Sequence, residues 1–334
     1  MTILLDSRQI SRAIALLRRS QPVGLPTETV YGLAARALDE KSLARIFALK
    51  QRPHFDPLIV HVLDATWVPP LVRARGATHE KLMDAFWPGP LTLLFEKSDR
   101  VPDLCTAATP WVAIRSPSHP LFREVLRLME EPLAAPSANL FGRISPTEAR
   151  HVVEELGPRG LHAVLDGGAC ALGLESTVVK IHSESSIEVL RQGSLPIEAL
   201  KSVLGPGVSI EVRASGSGVV EEAPGQLKSH YAPRTPLWLC ANDGELSDLV
   251  SKLPTDEIAL LSLGPMAPVH GVKKIEVLSA SSSMEEAASR LFSTLRRLDH
   301  ESWKALVALE MPAHGLGPAM NDRLRRAAHG SRLP

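Results

Sequence analysis

Residues 24–37 read GLPTETVYGLAARA, an apolar run into Pro26 that then delivers Thr27, Glu28, Thr29 and Tyr31 before Gly32 and what reads as a helical stretch. Pro22 to Leu25 is predicted to be a strand, so hydroxyls gather where a strand leaves its sheet. In open α/β sheets, loop groups converge on ligands at such carboxyl ends. The same threonines would also suit a structural task, capping the next helix by accepting from its free amides. This segment alone leaves both readings open.

The alternation continues outward from there. Short apolar runs predict strands at 58–62, 91–96, 111–115, 133–135, 163–166, 176–181 and 187–191, with helix-period segments between them. The N-terminus adds a short apolar strand and an amphipathic segment with Ile10, Ala13, Ile14 and Leu17 on one side. Residues 41–51 group Leu43, Ile46 and Phe47, and residues 146–156 group Ala149, Val152, Val153 and Leu156, so both helices are expected to bury against the sheet. This is the signature of a sheet covered by helices.

Around Arg213 the pattern gives way to ASGSGVVEEAPGQ (214–226), whose Gly, Ser and Pro suit a flexible, exposed linker. Strands at 237–240, 257–262, 274–278 and 305–309, with helices near 244–253 and 284–298, then predict a smaller α/β unit. The expected organisation is a domain over 1–212, a linker over 213–234 and a second domain over 235–334.

Four further clusters bear on chemistry. In SLARIFALKQRPHFDPLIVHV (42–62) the helix must stop before Pro53, which leaves Lys50 and Arg52 at its end, either solvated or gripping phosphate oxygens. In PLAAPSANLFGRISPTEARHVVEEL (132–156) a strand ends at Pro136 and delivers Ser137 and Asn139 into a loop. Ser145, Pro146 and Glu148 follow as a capping box with proline at the first helical position, a helix start that also suits an anion. DGGACALGLESTVVKI (166–181) opens a strand with Ser176 and Thr177, while Arg191 and Arg115 close strands of their own. Such strand-end cations suit a triphosphate and a carboxylate, or simply lie at the surface.

The bulk properties narrow the classes. Length 334 suits two domains, and 44% hydrophobic with 22% charged residues is ordinary for a globular protein. Thirty-seven basic and 37 acidic residues cancel, which argues against strong direct nucleic-acid binding through a broad basic face. Cys105, Cys170 and Cys240 are too scattered for a zinc knuckle or redox pair. No signal pattern and no run of about 18 apolar residues occurs, so a cytoplasmic location without membrane contact is expected. GxxxxGK[ST], a complete GxGxxG after a strand, HExxH and GxSxG are missing, so any ATP must be held another way.

Taken together, PTETVYGL, KQRP followed by PLIVHV, WPGPLT, VAIRSPSHP, AAPSAN, GLESTVV and RQG resemble the YrdC-like threonylcarbamoyl-adenylate synthases in order and separation. The resemblance covers about residues 7–210. The remainder, from APGQLKSHYAP to GLGPAMNDRLRRAA, looks like the linker and C-terminal domain of the long two-domain form. It implies a twisted, mixed parallel and antiparallel open sheet around a concave cavity, plus a smaller Rossmann-like α/β domain.

By matching motifs, Thr29, His61, Arg115, Ala135 and Ser176 would surround L-threonine, with Arg115 pairing its carboxylate. ATP would meet Lys50, Arg52, Asp56, Ser137, Asn139, Ser145, Arg191 and Tyr231, with Lys50 and Arg52 catalytic and His230 joining Tyr231 in a closing lid. Mg2+ is expected on the ATP phosphates and bicarbonate as third substrate. The implied partner is the transferase machinery that modifies adenosine beside the tRNA anticodon. Two departures stand out: Asp56 where the family usually has Asn, and Trp111 where it usually has Thr. The rival readings are a carbamoyl transferase using carbamoyl phosphate and a non-catalytic RNA-binding module.

Overall fold

The computed structural model describes residues 2–213, 230–329 and 331. The chain begins with β1 (Ile3–Leu5), α1 (Ile10–Arg18), β2 (Val23–Leu25), β3 (Gly32–Arg36), α2 (Glu40–Lys50), β4 (Ile59–His61), α3 (Ala77–Phe86) and β5 (Leu91–Glu96). Next come α4 (Asp103–Thr106), β6 (Trp111–Arg115), α5 (Pro120–Met129), β7 (Leu133–Ala134), α6 (Ala149–Leu156) and β8 (Ala163–Leu165). The first unit ends with β9 (Thr177–Ser183), β10 (Ser186–Arg191), α7 (Ile197–Leu204) and β11 (Ser209–Val212).

Among the described residues these strands form one sheet of eleven, in the order β1-β8-β2-β3-β7-β4-β6-β5-β9-β10-β11. Its ladders mix directions: β4 runs parallel to β6 and β5 to β9, whereas β5 opposes β6 and β3 opposes β7. The period of two along each strand divides the residues between faces. Val60, Leu93, Phe95, Val112, Ile114 and Val179 join a large core cluster that also takes in Leu43, Ile46 and Phe47 of α2. The intervening Ile59, Leu94, Ala113 and Val178 face the other way. His61 and Arg115 share the parity of Ile59 and Ala113, which sends them to that second face.

Two expectations fail here. Gly32 to Arg36 is not helical: Leu33, Ala34 and Ala35 are buried between β2 and β7, where cross-strand pairing overrides the helix propensity of LAA. With no helix following, the capping role for Thr27 and Thr29 disappears. Nor does Ser145 start a helix, because α6 begins at Ala149 and its N-cap Glu148 is extended and makes no side-chain cap bond. The stop of α2 is as expected: Gln51 caps it at φ 51°, two residues before Pro53.

Beyond residue 230 run β12 (Leu237–Cys240), α8 (Asp243–Lys252), β13 (Ile258–Ser262), β14 (Lys274–Val277), α9 (Met284–His300), β15 (Ala305–Leu309) and α10 (Gly317–Ala328). Their strands make a separate parallel sheet in the order β12-β15-β13-β14. Most of the expected linker, residues 214–229, lies outside the described residues.

The two units share a core. Val30, Ile144 and Leu174 of the first cluster with Tyr231 and with Phe292, Leu291 and Leu324 of the second. Arg296 of α9 donates to Ile144 O and to Glu155 Oε2. Gly173, at φ +70°, lies so close that a Cβ there would come 2.5 Å from the Cα of Ser289, and no side chain could stand between.

Candidate active site

The second face of the large sheet, the loops at its strand ends and the returning chain at His230 and Tyr231 line a small cavity. Of the residues expected at the site, Thr29, Arg52, His61, Arg115, Ala135, Ser137, Ser176, Arg191 and Tyr231 line it. Lys50, Asp56, Asn139 and Ser145 are buried but do not line it.

At one end stands Arg115, the last residue of β6 and 3% exposed. Its Nε donates to Gly89 O at 3.1 Å and its Nη1 to Thr29 Oγ1 at 2.9 Å. Thr27 Oγ1 lies 2.8 Å from Thr29 Oγ1 and receives the Thr29 and Val30 amides, so the PTET turn is folded on its own hydroxyl. Arg115 Nη2 is 2.7 Å from Glu28 Oε1, an ion pair without hydrogen-bond alignment. Burial pulls the Glu28 carboxyl upward, but the Arg115 guanidinium outweighs it and leaves the group below its usual value. His61 is held by the Ile59 carbonyl 3.1 Å from Nδ1, and burial, then Arg115, pushes it down to about 3. Its imidazole is therefore neutral at physiological pH.

The other cations gather around Ser176 and Arg52. A register shift between Val189 and Arg191 brings Arg191 opposite Val178, on the cavity side of the sheet. From there Arg191 Nε and Nη2 donate to Ser176 O at 3.1 and 2.9 Å, and Ser176 Oγ meets Thr92 Oγ1 at 2.8 Å. Arg52 is 6% exposed, so a solvated helix ending is ruled out. It donates to Asp56 O and Pro57 O at 3.0 and 2.7 Å and pairs with the Asp56 carboxylate at 2.7 Å.

Asp56 is thus the carboxylate partner of Arg52; burial raises its pKa against the pull of Arg52, Lys50 and Arg191. Lys50 lies behind the wall, its Nζ donating to Ser137 O and Asn139 O at 2.5 Å each. Those bonds hold the loop carrying Ser137, while Asn139 ties the same loop through Leu140 O and Arg143 O. Trp111, the other departure, stands outside the cavity wall at the start of β6 with the Lys180 ammonium 4.0 Å from its ring.

Sequence reasoning did not assign Thr27, Val30, Gly32, Ile59, Pro136 or Glu175, which also line the cavity. Thr27, Val30 and Gly32 sit in the PTETVYGL segment and could have been taken from it. Glu175 stands in the GLESTVV segment, but its part in the wall depends on Ser145, whose hydroxyl donates to Oε1 at 2.6 Å, and on Arg323 of α10, 148 residues away.

An open mixed sheet with a polar, cation-rich cavity on one face, packed against a small parallel-sheet domain, defines a two-domain α/β enzyme of the YrdC-like class. The family model described as "Telomere recombination", covering Sua5, YciO and YrdC proteins, matches residues 15–193, and the one described as "Threonylcarbamoyl-AMP synthase, C-terminal domain" matches residues 195–329. The chain belongs to this family, in its two-domain Sua5 form. Curated threonylcarbamoyl-AMP synthases of Pyrococcus abyssi and Bacillus subtilis are 34% and 35% identical, over 98% and 96% of this chain and 98% and 93% of theirs. The crystal structure of P. abyssi Sua5 complexed with L-threonine superposes with a TM-score of 0.89 at 34% identity, covering 98% of both chains.

Proposed function

We propose that the protein condenses L-threonine, bicarbonate and ATP into L-threonylcarbamoyl-AMP and pyrophosphate, for transfer to adenosine beside the tRNA anticodon. The observation that carries this reading is a single cavity holding Arg115 among threonine hydroxyls together with Arg52 and Arg191. Full-length similarity to named threonylcarbamoyl-AMP synthases supports it.

In this scheme the threonine nitrogen adds to the bicarbonate carbon, water leaves, and a carbamate oxygen attacks the α-phosphorus. The bond to the bridging oxygen then breaks and pyrophosphate departs. The protein supplies no covalent bond, so its tasks are positioning and stabilising negative charge. Arg115 and Thr29 hold the carboxylate end of threonine; neutral His61 and Ala135 flank it without adding charge. Arg52 and Arg191 face the phosphates, and Lys50 sets the Ser137 loop from behind. Among the described residues no group of three His, Cys, Asp or Glu is placed to hold a metal, and the scheme takes Mg2+ as part of substrate ATP. Closure by His230 and Tyr231 protects an anhydride that water would destroy.

The test is pyrophosphate release with and without L-threonine and bicarbonate, in the native protein and in Arg115→Lys. Threonine-dependent release is expected, and the variant should raise the KM for threonine by about 10- to 100-fold, because an ammonium cannot reproduce the fork that meets Thr29 and Gly89. Release indifferent to threonine but stimulated by carbamoyl phosphate would replace the reading with carbamoyl transfer.

A further inference from the structure

Glu175 presents an acid group in the wall of a cavity proposed to take a triphosphate. A bare carboxylate there would repel the substrate and would be costly to bury. The structure leaves neither oxygen bare. Oε1 accepts from Ser145 Oγ at 2.6 Å, and Oε2 accepts from Arg323 Nε at 2.9 Å.

Arg323 comes from α10, in the other domain, and its side chain is fully buried. Its remaining contacts reach the same neighbourhood. Nη2 donates to Gln192 O at 2.9 Å, the carbonyl next to cavity-lining Arg191, and Nη1 donates to Asp322 Oδ2 at 2.7 Å. The guanidinium carbon lies 5.1 Å from the centre of the Tyr231 ring, which also meets His230 edge-on at 4.1 Å and stacks on Phe292 at 5.6 Å. One side chain therefore touches three pieces of the cavity: the Glu175 wall, the Arg191 strand end and the Tyr231 closure.

We infer that Arg323 is a positioning residue for the nucleotide end of the site, neutralising Glu175 and bracing Tyr231 so that the phosphates meet cations and no uncompensated carboxylate. The inference rests on the adenylate-forming reading and gives the C-terminal domain a part in ATP binding that acts through Glu175 and Tyr231. It also accounts for Ser145, whose hydroxyl serves Glu175 and not a helix start.

The experiment measures KM for ATP and for threonine in the full chain carrying Arg323→Met, Arg323→Lys and the pair Glu175→Gln with Arg323→Met. Arg323→Met is expected to raise the KM for ATP about tenfold or more while the KM for threonine stays within about twofold. The double variant, with no charge left to compensate, should return the KM for ATP to within about threefold of native. A merely structural contact predicts otherwise: both constants rise together and the double variant is no better than the single one, which overturns the inference. If Arg323→Met does not fold, the double variant and Arg323→Lys decide by the same comparison, since neither buries an unpaired carboxylate. Native protein without threonine-dependent release overturns the functional reading instead; ATP affinity by calorimetry then judges Arg323 on its own.

Discussion

Lys50 ends α2 as its sequence position predicts, while its surroundings come from the fold. Sequence put a cation at the end of α2; the fold turned it inward, 1% exposed, onto Ser137 O and Asn139 O. Burial, and then the neighbouring Arg52, brings its ammonium down from 10.5 to about 7. Between those values the unfolded chain binds more protons than the folded one, so this residue makes stability rise with pH across that window, and its cost is fully present below it. A polyanion entering the cavity favours the charged form. Near pH 8 the empty site is mostly neutral here, so ATP binding should draw in a proton, approaching one per nucleotide. Calorimetry in buffers of different ionisation heat is expected to record that uptake, to see it shrink near pH 6, and to lose it in Lys50→Met. An unchanged uptake in the variant would locate the proton elsewhere. His230 does not compete for the assignment, since burial and the nearby Arg52 and Lys50 hold it neutral well below its ordinary value.

At the scale of elements, the turn from β10 into α7 fixes the cavity wall by close backbone approach. A Cβ on Gly193 would lie 2.3 Å from Glu175 O and 2.5 Å from the Ser176 carbonyl carbon, atoms that cannot rotate away. Gly193→Ala is therefore expected to cost about 1 to 3 kcal/mol, read as a lower urea midpoint, and an unmoved midpoint would show that the turn can give. Strands were the legible elements: every apolar run predicted as one, from Pro22–Leu25 to Ala305–Leu309, contains a strand of the sheets. What sequence could not supply was competition between local and distant partners. LAA after Gly32 favours a helix until β2 and β7 claim it, and S-P-T-E favours a helix start until Glu175 takes the serine. For the site, Arg115, Ser176 and Thr29 were legible as cavity-lining because Arg115 ends a strand, Thr29 follows one and Ser176 leads into one. Glu175 and Arg323 stand in GLESTVV and GLGPAMNDRLRRAA, but their pairing was not legible, since it exists only across the domain seam.

Across the whole molecule, that seam combines apolar packing with buried ion pairs, and this predicts how the chain unfolds. Val30, Ile144 and Leu174 would be laid bare if the C-terminal unit left, and Glu155 and Glu175 would lose Arg296 and Arg323. Differential scanning calorimetry is accordingly expected to show one cooperative transition for both domains, persisting at high salt because the pairs are shielded from solvent. Two separated transitions would show that the seam contributes little. The order of assembly follows from the same arrangement. β1 pairs with β8, some 160 residues later in the chain, and the wall around Glu175 is finished by a residue of the last helix. A ribosome still translating this message holds a polypeptide that cannot yet form the finished pocket. A protein cut short before α10 would leave the ribosome with the acid at residue 175 lacking its arginine partner, in the wall where the proposed reading seats a triphosphate.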